Sequence, residues 1–340
     1  MNFNKKTILA YSDPAGFNII CALVDEFIAQ KKVCNKDFKV FTNLEGIIDK
    51  KYSPYISIIK NKIDRVENEI DKFQPEKIFT ATSLNIFEHL WRVCSKKKNI
   101  RVESFVDHWT GIKKRFIFSN KLVYPDAIFV INGMAKKIAI EEGIPEKIIF
   151  IRTNPYYKKV ENFIPEVSES IFLNDLEIKP KHKIILYVSD NIKDTPIFKN
   201  LGFDELSIFE NLMESLYFLE ESKKINVNNF FIIIKLHPRE KEKKYLDLIK
   251  KREYKNIKLV KFYDPLVINY YSDLVIGSFS NMIIESYLLK KSLLRVQIGI
   301  RKEDPLKFGP LTDKFISNST LLKLELERSL LSYSYTKKSL

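Results

Sequence analysis

The chain has 340 residues and a formal net charge of +14, and 45% of its residues are hydrophobic. This length exceeds the usual size of one hydrophobic core, so we expect two domains. The apolar fraction excludes a largely disordered chain. The excess of Lys and Arg attracts anionic partners, which include nucleic acid, phosphate-bearing substrates and an anionic membrane face, and charge alone does not choose among them.

The cysteines and the N-terminus exclude several classes of protein. Cys21, Cys34 and Cys94 have no spacing typical of a zinc site or a disulfide framework. The first apolar run is too short for a signal sequence, and no uncharged apolar window of about 18 residues indicates a membrane span. The expected compartment is therefore the cytoplasm.

The first half alternates short apolar runs with helix-length amphipathic segments, a pattern typical of parallel sheets covered by helices. The predicted strands are TILAYS (7–12), FKVFT (38–42), KIFTAT (77–82), RVESFVD (101–107) and AIFVIN (127–132). The predicted helices lie near residues 17–31, 61–73, 84–96 and 134–142.

The second half repeats this alternation after a break between about 153 and 182. Its predicted strands are KIILYVS (183–189), NFFIIIKL (229–236), IKLVKF (257–262), DLVIGS (273–278) and LLRVQIG (293–299). Its predicted helices lie near residues 204–222, 243–252, 264–271, 280–290 and 319–331.

These elements predict an α/β fold with two Rossmann-like domains that face each other across a cleft. The first domain is expected to span 1–155 and the second 183–318, with a linker at 156–182. The segment 319–340 is expected to form a helix that crosses back to the first domain.

Ligands of open parallel sheets bind beyond the carboxyl ends of the strands, so the residues that follow each strand are the first candidates for a site. In the first half, Asp13 follows a strand and either acts as a general base or caps the next helix. Asp107 and His108 follow another strand and offer a second candidate for catalysis.

In the second half, His237 ends the most strongly β-like run, and Pro238 stops that strand. A histidine in this place can donate a hydrogen bond, or a proton, to a phosphate. The turn GSFSN (277–281) precedes a helix expected to begin near Phe279. The hydroxyls of Ser278 and Ser280 can therefore contact an anion, unless Ser278 is simply the helix cap.

Several common motifs are missing. The sequence contains neither a GxGxxG fingerprint nor a GxxxxGK[ST] loop, which argues against a standard dinucleotide-binding domain and a P-loop ATPase. It also contains no HExxH motif, no GxSxG motif and no Cys/His metal cluster.

The sequence resembles GT-B glycosyltransferases in three features, which are its two α/β halves, the turn from Lys235 to Pro238 and the GSFSN turn. The closer resemblance is to bacterial sialyltransferases, Kdo transferases and CDP-glycerol glycerophosphotransferases. It implies that Lys235, His237 and Pro238 help to hold the nucleotide phosphate. It also implies nucleotide-binding roles for the second turn and the helix after it, at Gly277, Ser278, Ser280, Asn281 and Glu285.

The resemblance implies a metal-independent transferase without a separate cofactor, which moves a sugar or a polyol phosphate from a CMP- or CDP-linked donor. Asp13 would be the base, and the acceptor would be a glycan or a lipid-linked glycan of capsule or lipooligosaccharide synthesis. Peripheral contact with the inner membrane face is expected, and a nucleic acid partner is not. The alternatives are an enzyme similar to UDP-GlcNAc 2-epimerases and an inactive GT-B module that binds nucleotide or glycan.

Overall fold

A computed structural model describes residues 6–29, 37–45, 51–109, 111–251, 254–306, 311 and 314–336. The chain divides into two compact units, Met1–Lys159 and Val160–Leu340, here called unit 1 and unit 2. Each unit contains a parallel sheet covered by helices. The predicted α/β class with two Rossmann-like, GT-B-like domains is therefore confirmed.

Unit 1 is built on a seven-stranded sheet in the order β3-β2-β1-β4-β5-β8-β9, with a separate hairpin of β6 and β7. Its strands are β1 (Thr7–Tyr11), β2 (Phe38–Thr42), β3 (Ile56–Ile58), β4 (Lys77–Thr80), β5 (Arg101–Val106), β6 (Ile117–Phe118), β7 (Lys121–Leu122), β8 (Ala127–Val130) and β9 (Ile149–Ile151). Its helices are α1 (Pro14–Ala29), α2 (Ile63–Phe73), α3 (Ile86–Lys97), α4 (Gly133–Glu141) and α5 (Pro155–Glu161), the last of which crosses the boundary between the units.

The inner strand β1 is buried on both faces because alternate side chains enter two different cores. Leu9 and Tyr11 pack with α1 on one face, and Ile8 and Ala10 pack with α2 and α3 on the other. This explains why β1 appears in the sequence as an unbroken apolar run. It also places the residues after β1 in the middle of the carboxyl edge of the sheet.

Unit 2 has a five-stranded sheet in the order β12-β11-β10-β13-β14. Its strands are β10 (Lys183–Val188), β11 (Phe230–Lys235), β12 (Ile257–Val260), β13 (Leu274–Gly277) and β14 (Ser292–Arg295). Its helices are α6 (Glu169–Asp175), α7 (Glu205–Glu221), α8 (Lys243–Lys251), α9 (Pro265–Tyr271), α10 (Asn281–Leu288) and α11 (Ser319–Thr336).

The segment between the predicted domains contains helical structure. It holds the end of α5 and the whole of α6, and the boundary between the compact units follows Lys159. Phe172 of α6 stacks on Tyr271 with 5.0 Å between ring centroids, and the Tyr271 hydroxyl donates to the carbonyl of Val167 at 2.6 Å. The predicted linker is thus packed on unit 2 over this stretch.

The predictions on the cysteines, the C-terminal segment and a membrane span can be compared with the structure only over the described residues. Cys21 and Cys94 are buried, whereas Cys34 and residues 337–340 lie outside the described part of the chain. In the described residues, no helix is both long enough and apolar enough to cross a membrane.

The helix α11 packs on α7 within unit 2, because Leu322, Leu326 and Leu330 join the same core as Leu212 and Leu216. These α11 residues recur every four positions and so form one apolar stripe. The return of this helix to the first domain stays a prediction.

This packing predicts a difference between two leucines of α11. Leu326 is fully buried and Leu324 is 43% exposed. We expect Leu326→Ala to lower the free energy of unfolding by about 2–4 kcal/mol, since it leaves a cavity. Leu324→Ala, the matched control, should change it by less than about 1 kcal/mol. Urea unfolding followed by circular dichroism measures both, and equal losses would contradict the packing of α11.

Candidate functional site

The turn that carries His237 is closed by the side chain of Glu240. One oxygen, Oε2, accepts from the backbone N–H of His237 at 2.8 Å, and Oε1 accepts from the Ser189 hydroxyl at 2.9 Å. Burial raises the pKa of Glu240, and these two donors oppose the shift. Hydrogen bonds within the protein therefore hold the turn at the carboxyl end of β11 in shape.

Hydrogen bonding fixes the tautomer of His237. Its Nδ1 accepts from the backbone N–H of Arg239 at 3.2 Å, so a neutral ring carries its proton on Nε2. Burial lowers the pKa of His237, and the cations of Arg239 and Lys235 lower it further. At pH 7 the ring is neutral and offers an Nε2–H donor, which suits a hydrogen bond to a phosphate oxygen better than transfer of a proton.

The two other predicted residues of this turn differ in exposure. Lys235 is buried, and its Nζ donates to the carbonyl of Lys261 at 2.7 Å. Burial lowers the pKa of Lys235. Pro238 is exposed on the surface. Lys235 thus links β11 to the residue that follows β12, and direct contact of either residue with a nucleotide stays a prediction.

The serine turn differs in detail from the expectation. The helix α10 begins at Asn281, and its N-cap is Ser280, whose side chain makes no capping hydrogen bond. The start near Phe279 and the cap at Ser278 were therefore wrong. Ser278 is fully buried, its carbonyl accepts from Arg295 Nε at 3.0 Å, and its hydroxyl has no hydrogen-bond partner among the described residues. A ligand can reach this hydroxyl only if the turn opens.

A carboxyl group of the protein itself occupies part of this turn. Asp190, which follows β10, accepts from the backbone N–H of Phe279 at 3.2 Å, and the Ser280 hydroxyl faces the same carboxyl. Burial raises the pKa of Asp190 to about 7; the Phe279 N–H opposes this shift, and the carboxyls of Glu240 and Glu205 add to it. The protein therefore holds a partly protonated acid where the sequence predicted a phosphate.

The order of the strands separates the His237 turn from the serine turn. The strands that carry His237 and Ser278 are not neighbours, because β10 lies between β11 and β13. With strands about 4.8 Å apart, the two strand ends lie roughly 10 Å from each other. Asp190 stands between them, at the end of the central strand.

Three further predicted residues flank the serine turn. Gly277 has a packing role, because a Cβ there would lie 2.7 Å from Ile283 Cδ1 and 3.1 Å from the carbonyl oxygen of Val188. Asn281 is exposed in the first turn of α10, whereas Glu285 is buried in the same helix. Their contacts with a nucleotide stay predictions.

In unit 1, Asp13 caps α1. Its Oδ1 accepts from the backbone N–H of Gly16 at 2.6 Å. Burial raises the pKa of Asp13; the Gly16 N–H opposes this, the carboxylate of Asp107 adds to it, and Arg115 and His108 oppose it. The net shift is upward, so burial and the second carboxyl outweigh the helix terminus, and the capping group is also a better proton acceptor than an exposed aspartate.

Asp107 and His108 belong to the same cluster as Asp13. They follow β5, which is separated from β1 by β4 alone. Desolvation lowers the pKa of His108; the carboxylate of Asp107 opposes this, Arg115 adds to it, and Asp13 opposes it. The pKa values of Asp13 and His108 thus both respond to the charges of Asp107 and Arg115, and each responds to the other. Trp109 next to them is buried in the core.

Sequence reasoning missed the buried acid beneath this cluster. Glu88 Oε2 accepts from the hydroxyls of Ser12 at 2.6 Å and Ser83 at 2.8 Å. Burial raises the pKa of Glu88, the two hydroxyls oppose the shift, and Asp13 adds to it. Nothing in the predicted helix 84–96 distinguishes Glu88 from a surface residue.

Asp190 and Glu240 were also missed, although the sequence gives a signal for each. Asp190 follows a serine at the end of a strand, as Asp13 does in SDPAG, and Glu240 stands three residues after His237. None of these acids forms a metal site with its neighbours, since the described residues contain no group of three or more His, Cys, Asp or Glu arranged to hold a metal ion.

Solved structures share this architecture. UDP-GlcNAc 2-epimerase from Neisseria meningitidis, solved with UDP-GlcNAc bound, matches with a TM-score of 0.68 at 13% identity over 98% of this chain and 93% of that one. The Methanocaldococcus jannaschii enzyme matches with a TM-score of 0.65 at 14% identity over 94% and 91%. The Rickettsia bellii enzyme matches with a TM-score of 0.55 at 16% identity over 99% of both chains. No protein-family model and no curated protein matches the sequence.

These comparisons correct the predicted function. The expected transferase with a CMP- or CDP-linked donor was wrong, because the similar solved structures are UDP-GlcNAc 2-epimerases, the alternative that the sequence left open. The physical reason is that a His-Pro turn and a serine turn at the carboxyl ends of strands suggest a phosphate site and nothing more specific. A phosphate hydrogen-bonds in the same way whether it is linked to cytidine or to uridine, so motifs that suggest a phosphate site do not distinguish the two nucleosides.

The raised pKa of Asp190 predicts a pH-dependent gain from Asp190→Asn, which keeps an acceptor for the Phe279 N–H. An unfolded aspartate releases its proton near pH 4, whereas Asp190 holds its proton up to about pH 7. The wild type therefore loses stability between these values as the pH rises, and the variant does not. We expect the Tm of the variant to exceed that of the wild type by several degrees at pH 8 and by much less at pH 4.5.

The matched control is Asp194→Asn. The hydrogen bond from Lys244 lowers the pKa of Asp194, so this substitution should give no gain at pH 8. Differential scanning fluorimetry across the pH range compares the three proteins. A Tm difference for Asp190→Asn that is the same at both pH values would contradict the buried, proton-holding carboxyl.

Proposed function

We propose that the protein is an enzyme that binds a UDP-activated sugar and inverts a ring carbon of that sugar, as a UDP-GlcNAc 2-epimerase does. The observation that carries the proposal is the cluster of Asp13, Asp107 and His108 at the carboxyl edge of the unit 1 sheet. The support from the fold is that the similar solved structures include a 2-epimerase with UDP-GlcNAc bound.

Inversion of a carbon that bears hydrogen requires groups that remove a proton from one face and return one to the other. The C2–H bond of a UDP-sugar has no neighbouring carbonyl to acidify it. Its electrons can instead form a C1=C2 double bond while UDP departs from C1, and the reverse addition on the opposite face restores both bonds. A carboxyl with a raised pKa and a neutral imidazole are the groups that such proton transfers need.

Unit 2, taken by itself, carries groups suited to a diphosphate. The Nε2–H of His237 is a neutral donor, and the first turn of α10 offers backbone N–H groups without intrahelical partners. Asp190 opposes an anion while it is ionised and donates to one when it is protonated. Its pKa of about 7 makes the protonated form accessible at neutral pH.

Nucleotide binding gives the first test of this proposal. We expect UDP and UDP-GlcNAc to raise the Tm more than CMP, CDP or GDP at equal concentration, by mass action on the folded state. His237→Ala should weaken UDP binding by about 10-fold or more, because it removes a hydrogen bond to a charged group.

The matched control is His182→Ala. His182 lies before β10, at the amino edge of the same sheet, where it packs on Phe231 at 6.0 Å between ring centroids. Isothermal titration of UDP into the three proteins measures the effect. Equal UDP affinity in the wild type and His237→Ala would remove His237 from the nucleotide site.

Exchange of the C2 proton tests the chemistry itself. In D2O, we expect the ¹H NMR signal of the C2 proton of UDP-GlcNAc to disappear as deuterium replaces it. Asp13→Asn and Asp107→Asn keep the shape of each side chain, and at least one of them should slow the exchange by roughly 100-fold or more.

Asp126→Asn is the control for these two variants. Asp126 accepts from the backbone N–H of Val102 at 2.8 Å at the amino edge of the same sheet. Its replacement should leave the exchange rate unchanged. Tight binding of UDP-GlcNAc without any exchange would reject an epimerase and indicate a nucleotide-binding module without turnover.

A further inference from the structure

Phe262 is unusually exposed for a phenylalanine. It follows β12, and 87% of its surface is accessible, more than for any other large hydrophobic side chain in the described residues. It lies at the carboxyl edge of the unit 2 sheet, the edge at which open parallel sheets bind ligands.

The turn around Phe262 is fixed, so its exposure does not reflect a loose loop. The backbone carbonyl of Lys261 accepts from Lys235 Nζ at 2.7 Å. The hydroxyl of Tyr263 donates to Asp175 Oδ2 at 3.0 Å. Asp264 caps α9 by accepting from the backbone N–H of Leu266 at 2.8 Å. The residues on both sides are thus tied to β11, α6 and α9, while the Phe262 ring extends into solvent.

The ring also stands beside the His237 turn. Lys261 Nζ donates to the backbone carbonyl of Glu240 at 2.8 Å, and the backbone N–H of Leu236 donates to the carbonyl of Val260 at 2.9 Å. The same Lys261 Nζ lies 5.5 Å from the centroid of the Phe262 ring. The Lys261 ammonium is therefore close to the Phe262 ring and next to the turn of His237, the candidate hydrogen-bond donor to a phosphate.

We propose that Phe262 is the surface on which the nucleobase of the bound nucleotide stacks, an inference that rests on the proposed function. An aromatic ring stacks on any base, and a neighbouring lysine attracts the adjoining phosphates. The order of strands fits this ligand, since β12 and β13 are three strand spacings apart, or about 14 Å. A nucleoside diphosphate of comparable length reaches from the ring to the first turn of α10.

The neighbours of Phe262 favour the base over the sugar as its partner. The sugar of a UDP-sugar must lie beside groups that accept and return protons. The residues around Phe262 offer a lysine, a tyrosine hydroxyl bonded to Asp175 and a capping carboxylate, Asp264. These groups do not form an acid and a base that are both available for proton transfer. The residues around Phe262 therefore suit the binding of a ligand and not the chemical step.

Two variants and one control test the proposal. Phe262→Ala should weaken the binding of UDP and of UMP by roughly 5- to 100-fold, the scale of base stacking on an aromatic side chain. The affinity for inorganic pyrophosphate, which has no base, should not change. The control Phe218→Ala removes another exposed ring with a lysine over it, at 4.5 Å from Lys323 Nζ, and should change neither affinity.

Phe262→Trp gives a direct readout of stacking. Trp91 and Trp109 are both buried, so an added exposed indole emits at longer wavelength and can be followed separately. We expect UDP to quench this emission and pyrophosphate to leave it unchanged. Quenching by both ligands, or by neither, would overturn the proposal.

The outcomes separate this proposal from the proposed function. If the wild type binds UDP and Phe262→Ala binds it equally well, Phe262 is not the stacking residue and the function stands. If another nucleotide binds instead and Phe262→Ala weakens it, the stacking role holds and the UDP-sugar function fails. The stacking role is overturned if the wild type binds no nucleotide, or if Phe262→Ala loses affinity for UDP and for pyrophosphate equally. It is also overturned if Phe262→Ala changes the oligomeric state and leaves the affinity for UDP unchanged.

Discussion

The carboxyl edge of each sheet depends on the same interaction, a serine hydroxyl that donates to a buried glutamate. Ser12 donates to Glu88 in unit 1, and Ser189 donates to Glu240 in unit 2. A carboxyl away from water is costly unless donors reach it, and each of these glutamates has two. Loss of a serine would leave an acid short of a donor, so each serine–glutamate pair fixes the ends of the strands that carry the candidate site.

The aspartate that follows each serine shows how similar sequences acquire different roles. Asp13 accepts from Gly16 in the helix that directly follows it, whereas Asp190 reaches across to Phe279, in the turn before α10. Burial raises the pKa of both carboxyls. In unit 1 the acid lies beside other titratable groups, which suits proton transfer. In unit 2 it lies at a helix terminus, where its ionisation would oppose the anion that the proposed function places there.

The sequence predicted the inner strands of both sheets but missed the two edge strands of the unit 1 sheet, for one physical reason. Strands such as β1 and β11 are covered on both faces, so they appear as unbroken apolar runs. The edge strands β3 and β9 have only three residues each, of which two are exposed. Such segments have neither the length nor the alternation that indicates a strand. The strands β3 and β9 form because they pair with β2 and β8. Such pairing cannot be read from local sequence.

The same limit explains which residues of the candidate site could be chosen from the sequence. His237, Asp13 and Asp107 could be named as candidates because a strand end is a local feature. Asp190 becomes part of the serine turn only because β10 pairs with β13. Phe262 comes beside the His237 turn only because β12 pairs with β11. The predicted motifs concern phosphate alone, whereas the stacking role that we propose for Phe262 depends on a side chain that the order of the strands brings beside the His237 turn.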